Sequence, residues 1–212
     1  MSIKVCISGA HGTGKSKICE RVKLKLYDNF FTQEKEKIHK DSNYGPTEIH
    51  YNFQNQFVLI PEQFREVVKD LNLPKDVTHF EQTEEITLAT YAKQLYLENL
   101  YTEQGKNILC DRGILDTFIY YSFFNKVHFD DFEIPCWDLG GDYLIKTYTK
   151  IYLIEPSNRE IEPDGFRLTD KKQQLEIHQL FLEYFKDLNN VEIVNQEEQD
   201  KIVEMVVNDF NV

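Results

Sequence analysis

CISGAHGTGKS, residues 6–16, is the stretch whose reading decides the fold. An apolar run, Lys4–Ser8, enters a glycine-rich turn that ends Gly-Lys-Ser, and a helical pattern begins at the lysine. Gly9-Ala10-His11-Gly12-Thr13-Gly14-Lys15-Ser16 fits G-x-x-x-x-G-K-S/T in full. Each part has a physical job. Gly9, Gly12 and Gly14 let the backbone turn successive N–H groups inward as an anion nest, with Thr13 between them. The helix that follows presents its positive end to the same place. Lys15 is expected to reach the β- and γ-phosphates, and Ser16 to offer its hydroxyl to Mg²⁺. His11 reads as a filler of the loop rather than as a catalyst.

Outward from that loop the pattern alternates. Strands are expected at Lys4–Ser8, Phe57–Ile60, Asn107–Asp111, Ile151–Ile154 and Val191–Val194. Helices are expected at Lys15–Tyr27, Glu62–Leu71, Phe80–Glu103, Ile114–Phe124, Lys171–Leu188 and Glu197–Val207. Residues 31–55 are polar and carry Gly-Pro, so they read as a loop or small insertion. Residues 126–142 read as irregular and aromatic, and 155–170 as a polar loop. Five strands separated by helices need crossover connections, which gives an α/β fold: a parallel sheet covered on both faces.

The bulk numbers agree with one domain, 1–212, with the insertion at about 31–55 and a lid at about 156–170. Apolar residues make up 41 %, enough for a packed core. A net charge of −12 disfavours long nucleic acid and anionic membrane surfaces. No apolar run approaches the roughly 20 residues of a membrane span, and MSIKVCIS turns polar too soon for a signal peptide. Cys6, Cys19, Cys110 and Cys136 show no C-x-x-C spacing and read as reduced thiols, which implies a cytoplasmic protein.

Arginine is scarce: five residues against 19 lysines. Its planar fork holds phosphate oxygens in pairs, so its placement is informative. Arg21 reads as surface. Arg65 and Arg112 follow strands, and Arg159 and Arg167 lie in the loop after a strand. In an open parallel sheet the ligand crevice lies at the carboxyl ends of the strands, so all four are expected around the phosphates. Asp111 ends a strand beside the loop, where an acid orients Mg²⁺, and Arg112 after it can clamp an acceptor oxygen or the moving phosphoryl group. Asp116 either holds Arg112 or serves as a helix-start charge. Glu62 follows VLIP and faces Arg65 at i+3; there it can take the proton of an acceptor hydroxyl. In EPDGFR, residues 162–167, an arginine sits on a turn, as a closing lid needs. A lid argues for transfer over hydrolysis, because transfer must exclude water.

GAHGTGKS, PEQFREV, CDRGILD and EPDGFRLTD, in this order, resemble the small P-loop kinase-like ATPases that include the ribosylnicotinamide kinase domain of NadR-type proteins. The resemblance extends more distantly to thymidylate and deoxynucleoside kinases. It covers residues 9–170. It implies the five-stranded parallel sheet of the P-loop nucleoside/nucleotide kinase type, order 2-3-1-4-5, and an ATP- and Mg²⁺-dependent enzyme. On that resemblance Glu62 matches the base, Asp111-Arg112 the acidic–arginine pair, and Arg167 with Arg159 the lid arginines. The chain departs from NadR-type proteins in having no room for their adenylyltransferase domain. PEQFR also lacks the glycines that thymidylate kinases place after the second strand, which puts a nucleoside-like hydroxyl ahead of a monophosphate.

The expected activity is phosphoryl transfer to a nucleoside or nucleotide-like small molecule. One alternative is a kinase of 5′-hydroxyl nucleic acid ends, for which Lys35, Lys37 and Lys40 offer a small basic patch. The other is an NTPase or switch without acceptor, although no N-K-x-D guanine motif is present. A motor of the AAA+ type is not expected, since the chain is too short for its helical lid domain. Monomer and homodimer both stay open.

Overall fold

The computed structural model describes residues 2–38, 46–73, 83–127, 142–161 and 169–210. Five strands form one parallel sheet: β1 (Lys4–Ser8), β2 (Phe57–Ile60), β3 (Asn107–Asp111), β4 (Lys150–Glu155) and β5 (Val191–Asn195), in the order β2-β3-β1-β4-β5. β1 to β4 are nearly continuous apolar runs, as strands covered on both faces demand, while the edge strand β5 is partly exposed.

Alternation along β1 divides the core in two. Val5 and Ile7 face α1 (Lys15–Ile38), α2 (Pro46–Gln56) and α8 (Gln199–Phe210), through Ile18, Val22, Phe53 and Val206. Cys6 faces the other way, toward α4 (Glu84–Glu103), α5 (Ile114–Asn125), α6 (Asp142–Thr147) and α7 (Lys171–Phe185), through Tyr91, Phe118, Ile145 and Phe181. Cys6, Cys19 and Cys110 are buried free thiols, and burial pushes all three pKa values up, as inert core cysteines require.

Register decides what meets at the top of the sheet. Ile7 pairs with Asp111 and Ile60 with Cys110. The chain leaving β2 through Pro61 and Glu62 therefore runs alongside Asp111 and Arg112, and both lie next to the loop that leaves β1. A short helix, α3 (Gln63–Asp70), follows Glu62 directly.

One expectation changes. Within 31–55 the described residues are helical up to the start of β2: α1 continues to Ile38, and Pro46–Gln56 is α2. The reason is that Pro46 stands at the first helical position, where its fixed φ helps and its missing N–H costs nothing. A short helix, α6, also occupies 142–147. The aromatic stretch at 128–141 lies outside the described residues. Among the described residues, no helix is long and apolar enough to cross a membrane.

Candidate functional site

The loop between β1 and α1 has the backbone its glycines permit. Gly9, Gly12 and Gly14 sit at φ 130°, 73° and 83°. A methyl group on Gly9 would lie 2.9 Å from the carbonyl oxygen of Ile154, so glycine is required there. Two amide side chains brace the loop from outside. Gln174 Nε2 on α7 donates to the His11 carbonyl at 2.5 Å, and Gln196 Nε2 donates to the Gly12 carbonyl at 3.1 Å. Engaging those carbonyls suits the anion nest expected of the loop.

Lys15 is folded over the loop. Its Nζ donates to the Ala10 carbonyl at 2.6 Å and to Thr13 Oγ1 at 3.1 Å. Burial, with Arg112 next to it, lowers its pKa to about 7. An arriving polyphosphate supplies the opposite charge and restores the ammonium form. Nucleotide binding is therefore expected to take up protons near pH 7–8 and to weaken as pH rises. Titration calorimetry in buffers of different ionisation enthalpy reads the uptake directly. Lys15→Met should remove it, and uptake unchanged in that variant would contradict the assignment.

Ser16 and Asp111 meet at the start of α1. The Ser16 hydroxyl lies close enough to the Asp111 carboxylate to favour its ionised form, while Asp111 Oδ1 is buried with no hydrogen-bond partner. Burial and the nearby Glu62 raise the Asp111 pKa. An orphaned carboxylate oxygen beside a hydroxyl fits a hard divalent cation. Among the described residues, no three His, Cys, Asp or Glu side chains group to hold a metal by themselves.

A charge cluster closes the other side. Glu62, only 12 % exposed, sits between two arginines: Arg65 Nε donates to its Oε2 at 2.8 Å, and Arg112 Nε lies 2.8 Å from its Oε1. Burial works to raise the Glu62 pKa, but Arg112 and Arg65 outweigh it and hold the carboxyl below its ordinary value. Arg112 adopts φ 75°, a strained value for a side-chain-bearing residue. Its guanidinium lies 3.6 Å from Asp116, donates to the Gly9 carbonyl at 3.4 Å and stacks 4.6 Å from the Tyr120 ring centre. Burial alone would lower the Arg112 pKa; Glu62, Tyr120 and Asp116 reverse that and raise it.

Asp116 plays both of its expected parts. It accepts from Ser8 Oγ at 2.5 Å and from Gly113 N at 3.1 Å, and it faces Arg112. It thus ties the end of β1 to the Asp-Arg-Gly turn at the start of α5. Burial raises its pKa.

Apart from Asp111, these charged groups line one cavity, together with Gly12, Gly14 and Ser16. The same cavity is lined by Phe64, Tyr120 and Phe124, with Gln63, Thr90 and Gln94 among its other side chains. Sequence reading missed this aromatic lining and the two bracing glutamines. A lone Gln carries no spacing signal, and Tyr120 and Phe124 look like ordinary i, i+4 core residues of α5.

His11 is buried and also lines the cavity, its ring centre 6.5 Å from that of Tyr120. Arg21 is a surface residue of α1 and pairs with Asp200 on α8. Arg159 is not among the cavity's residues. It is 62 % exposed, and its Nε lies 3.9 Å from Glu197. A position just past a strand says which end of the sheet a residue occupies, but not which way its side chain turns. Arg167 lies outside the described residues, as do positions 162–168 of the expected lid.

A family model described as AAA domain matches residues 4–199. No curated protein matches. Among solved structures, the chain is similar to a NadR protein in complex with NAD and AMP-PNP, at 16 % identity and TM-score 0.60, covering 100 % of this chain and 50 % of that one. The chain thus spans about half the length of that protein. It is also similar to a thymidylate kinase from Ehrlichia chaffeensis, at 15 % identity and TM-score 0.60 over 100 % of this chain and 99 % of the other. A deoxyadenosine kinase from M. mycoides with bound dATP follows, at 15 % identity and TM-score 0.53 over 99 % and 100 %. At such identities the likeness is one of fold: the P-loop kinase fold with sheet order 2-3-1-4-5.

Proposed function

The chain belongs to the AAA domain family, and from that premise we propose that it is a phosphotransferase moving the γ-phosphoryl group of ATP to a hydroxyl of a nucleoside or nucleotide-like small molecule. One observation carries the reading. The cavity lined by the phosphate loop is lined also by the Glu62 carboxylate and by the aromatic side chains of Phe64, Tyr120 and Phe124. A hydrolase that uses water has no need of a room for an organic acceptor. The kinases of similar fold support the same reading.

In this mechanism the loop and Lys15 hold the β- and γ-phosphates. Ser16 and Asp111 would hold Mg²⁺, which when bound would neutralise developing charge. Glu62 accepts the proton of the acceptor hydroxyl. The two arginines keep it ionised, so it is ready as an acceptor at neutral pH. Arg112 reaches from Glu62 to the Gly9 carbonyl, so it spans the line between acceptor and phosphate. Such a cation stabilises charge on the transferring group. The wall of Phe64, Tyr120 and Phe124 offers flat apolar surface for a base or similar ring. Arg167, and Arg159 should its loop fold inward, would complete the site as a water-excluding lid.

The test is ADP formation from ATP·Mg²⁺ with single acceptors: nucleosides, deoxynucleosides, their monophosphates, ribosylnicotinamide and a 5′-hydroxyl oligonucleotide. Slow ADP formation alone and fast formation with one small acceptor are expected. Stimulation by the oligonucleotide only would move the assignment to an end kinase. Fast formation independent of any acceptor would replace it with an NTPase.

A further inference from the structure

The glycine of Asp-Arg-Gly has no part in the chemistry above. Gly113 has an extended backbone (φ −105°, ψ −177°), so no left-handed turn demands glycine there. Space demands it. A methyl group would stand 2.8 Å from Cys6 Sγ and 3.1 Å from the Tyr148 hydroxyl. Tyr148 lies between α6 and β4, is buried, and has its backbone carbonyl held by Asn190 Nδ2 at 2.7 Å.

That hydroxyl does two things at once. It accepts the Ile114 N–H at 3.2 Å and donates to Glu98 Oε1 at 2.6 Å. Glu98, on α4, is fully buried and also takes Lys4 Nζ at 3.1 Å and Gln94 Nε2 at 2.7 Å. Gln94 Nε2 in turn lies 3.5 Å from the Arg112 carbonyl. The remaining polar groups of the turn are placed too: Arg112 N on the Ile7 carbonyl at 3.0 Å and Gly113 N on Asp116. Two backbone groups that follow Arg112 thus lead to one buried carboxylate: its own carbonyl through Gln94, and the N–H two residues on through Tyr148. A phenol accepts from Ile114 only while its proton points elsewhere, and Glu98 fixes that direction.

We propose that Glu98 and Tyr148 are positioning residues: they clamp the 112–114 backbone, so that Arg112, at its strained φ, aims its guanidinium at Glu62 and the phosphate loop. This inference rests on the role given to Arg112 above. It accounts for a buried Lys4–Glu98 ion pair that the chemistry does not use. Replacing such a pair with well-packed apolar groups often costs nothing, so stability alone does not explain its presence.

Glu98→Gln would leave Lys4 buried without its partner and invites misfolding. Tyr148→Phe removes one hydroxyl and is the better test, run as a double-mutant cycle with Arg112→Lys. With Arg112 intact, Tyr148→Phe should lower kcat about tenfold while the KM for ATP stays within about twofold, the scale of one lost hydrogen bond. In the Arg112→Lys background it should lower kcat by less than about twofold. Equal losses in both backgrounds, or no loss in either, would overturn the clamp. Should the wild-type chain turn over no acceptor, the proposed function fails by itself. The same cycle, read on the ratio of Kd for AMP-PNP and ADP, then decides the clamp: coupled losses support it, and additive or absent losses overturn it.

Discussion

Glu62→Gln should lower acceptor-dependent turnover by about 10²–10³-fold while changing AMP-PNP affinity by less than about threefold. The expectation follows from geometry. Glu62 lines the cavity, and its charge is matched by Arg112 and Arg65 ahead of Lys15. Replacing the carboxylate with an amide keeps the shape, removes the proton acceptor and loosens both arginines. Nucleotide binding depends on the loop, Lys15 and Ser16, which the substitution does not touch. Steady-state kinetics with the acceptor found by the panel, together with calorimetry on AMP-PNP·Mg²⁺, separates the two effects. An equal fall in turnover and in AMP-PNP affinity would make Glu62 a structural partner of the arginines instead of a base.

Asp111→Asn is expected to give opposite signs in two measurements. Turnover should fall about 10²–10³-fold as one Mg²⁺-orienting group is lost. The protein without nucleotide should become more stable. Asp111 has a raised pKa, so its ionised form costs the folded state free energy at neutral pH. That cost disappears once pH falls below the ordinary carboxylate value, because the group is then protonated in both states. The gain from Asp111→Asn is therefore largest near pH 7 and shrinks toward pH 4. If it amounts to about 1 kcal/mol, Tm rises by roughly 2–4 °C for a chain of this length. The extra thermal shift that Mg²⁺ adds to ATP should vanish in the variant. In the wild type the acid limb of kcat/KM should belong to Asp111, whose pKa is raised, and not to Glu62, whose pKa is lowered. A variant less stable at pH 7 would show that the carboxylate is satisfied without a cation.

What was legible in the sequence follows from how tightly physics restricts residue choice. At Gly9–Ser16 the backbone reaches φ values that favour glycine, and the ligand demands Lys and Ser, so few other sequences serve. At β3 an acid must end an apolar strand, and the register Ile7–Asp111 then brings it to the loop. The five strands were readable because each is an apolar run between polar segments. α2 was not, because Gly45-Pro46 signals a turn even where the proline opens a helix. The late turns of α1 were not, because residues 32, 33 and 35 are exposed and leave little apolar period to read.

The site was legible where charge was scarce and placed at strand ends, as for Glu62, Arg65 and Arg112. At Arg159 it gave the end of the sheet but not the direction of the side chain, which lies beside Glu197. It was silent at Gln94, Glu98, Tyr148, Gln174 and Gln196. These act through contacts between elements far apart in the chain, such as Gln174 on the His11 carbonyl and Tyr148 on Ile114 N. No local spacing encodes such pairings.

The central claim is that the phosphoryl group goes to an organic hydroxyl and not to water. Its most direct test follows ATP labelled in the γ-phosphoryl group through a single turnover with the stimulating acceptor, and then locates the label. Label on the acceptor's hydroxyl oxygen, with little as inorganic phosphate, is the predicted result. Label released as inorganic phosphate in step with ADP, with every acceptor offered, would contradict the account.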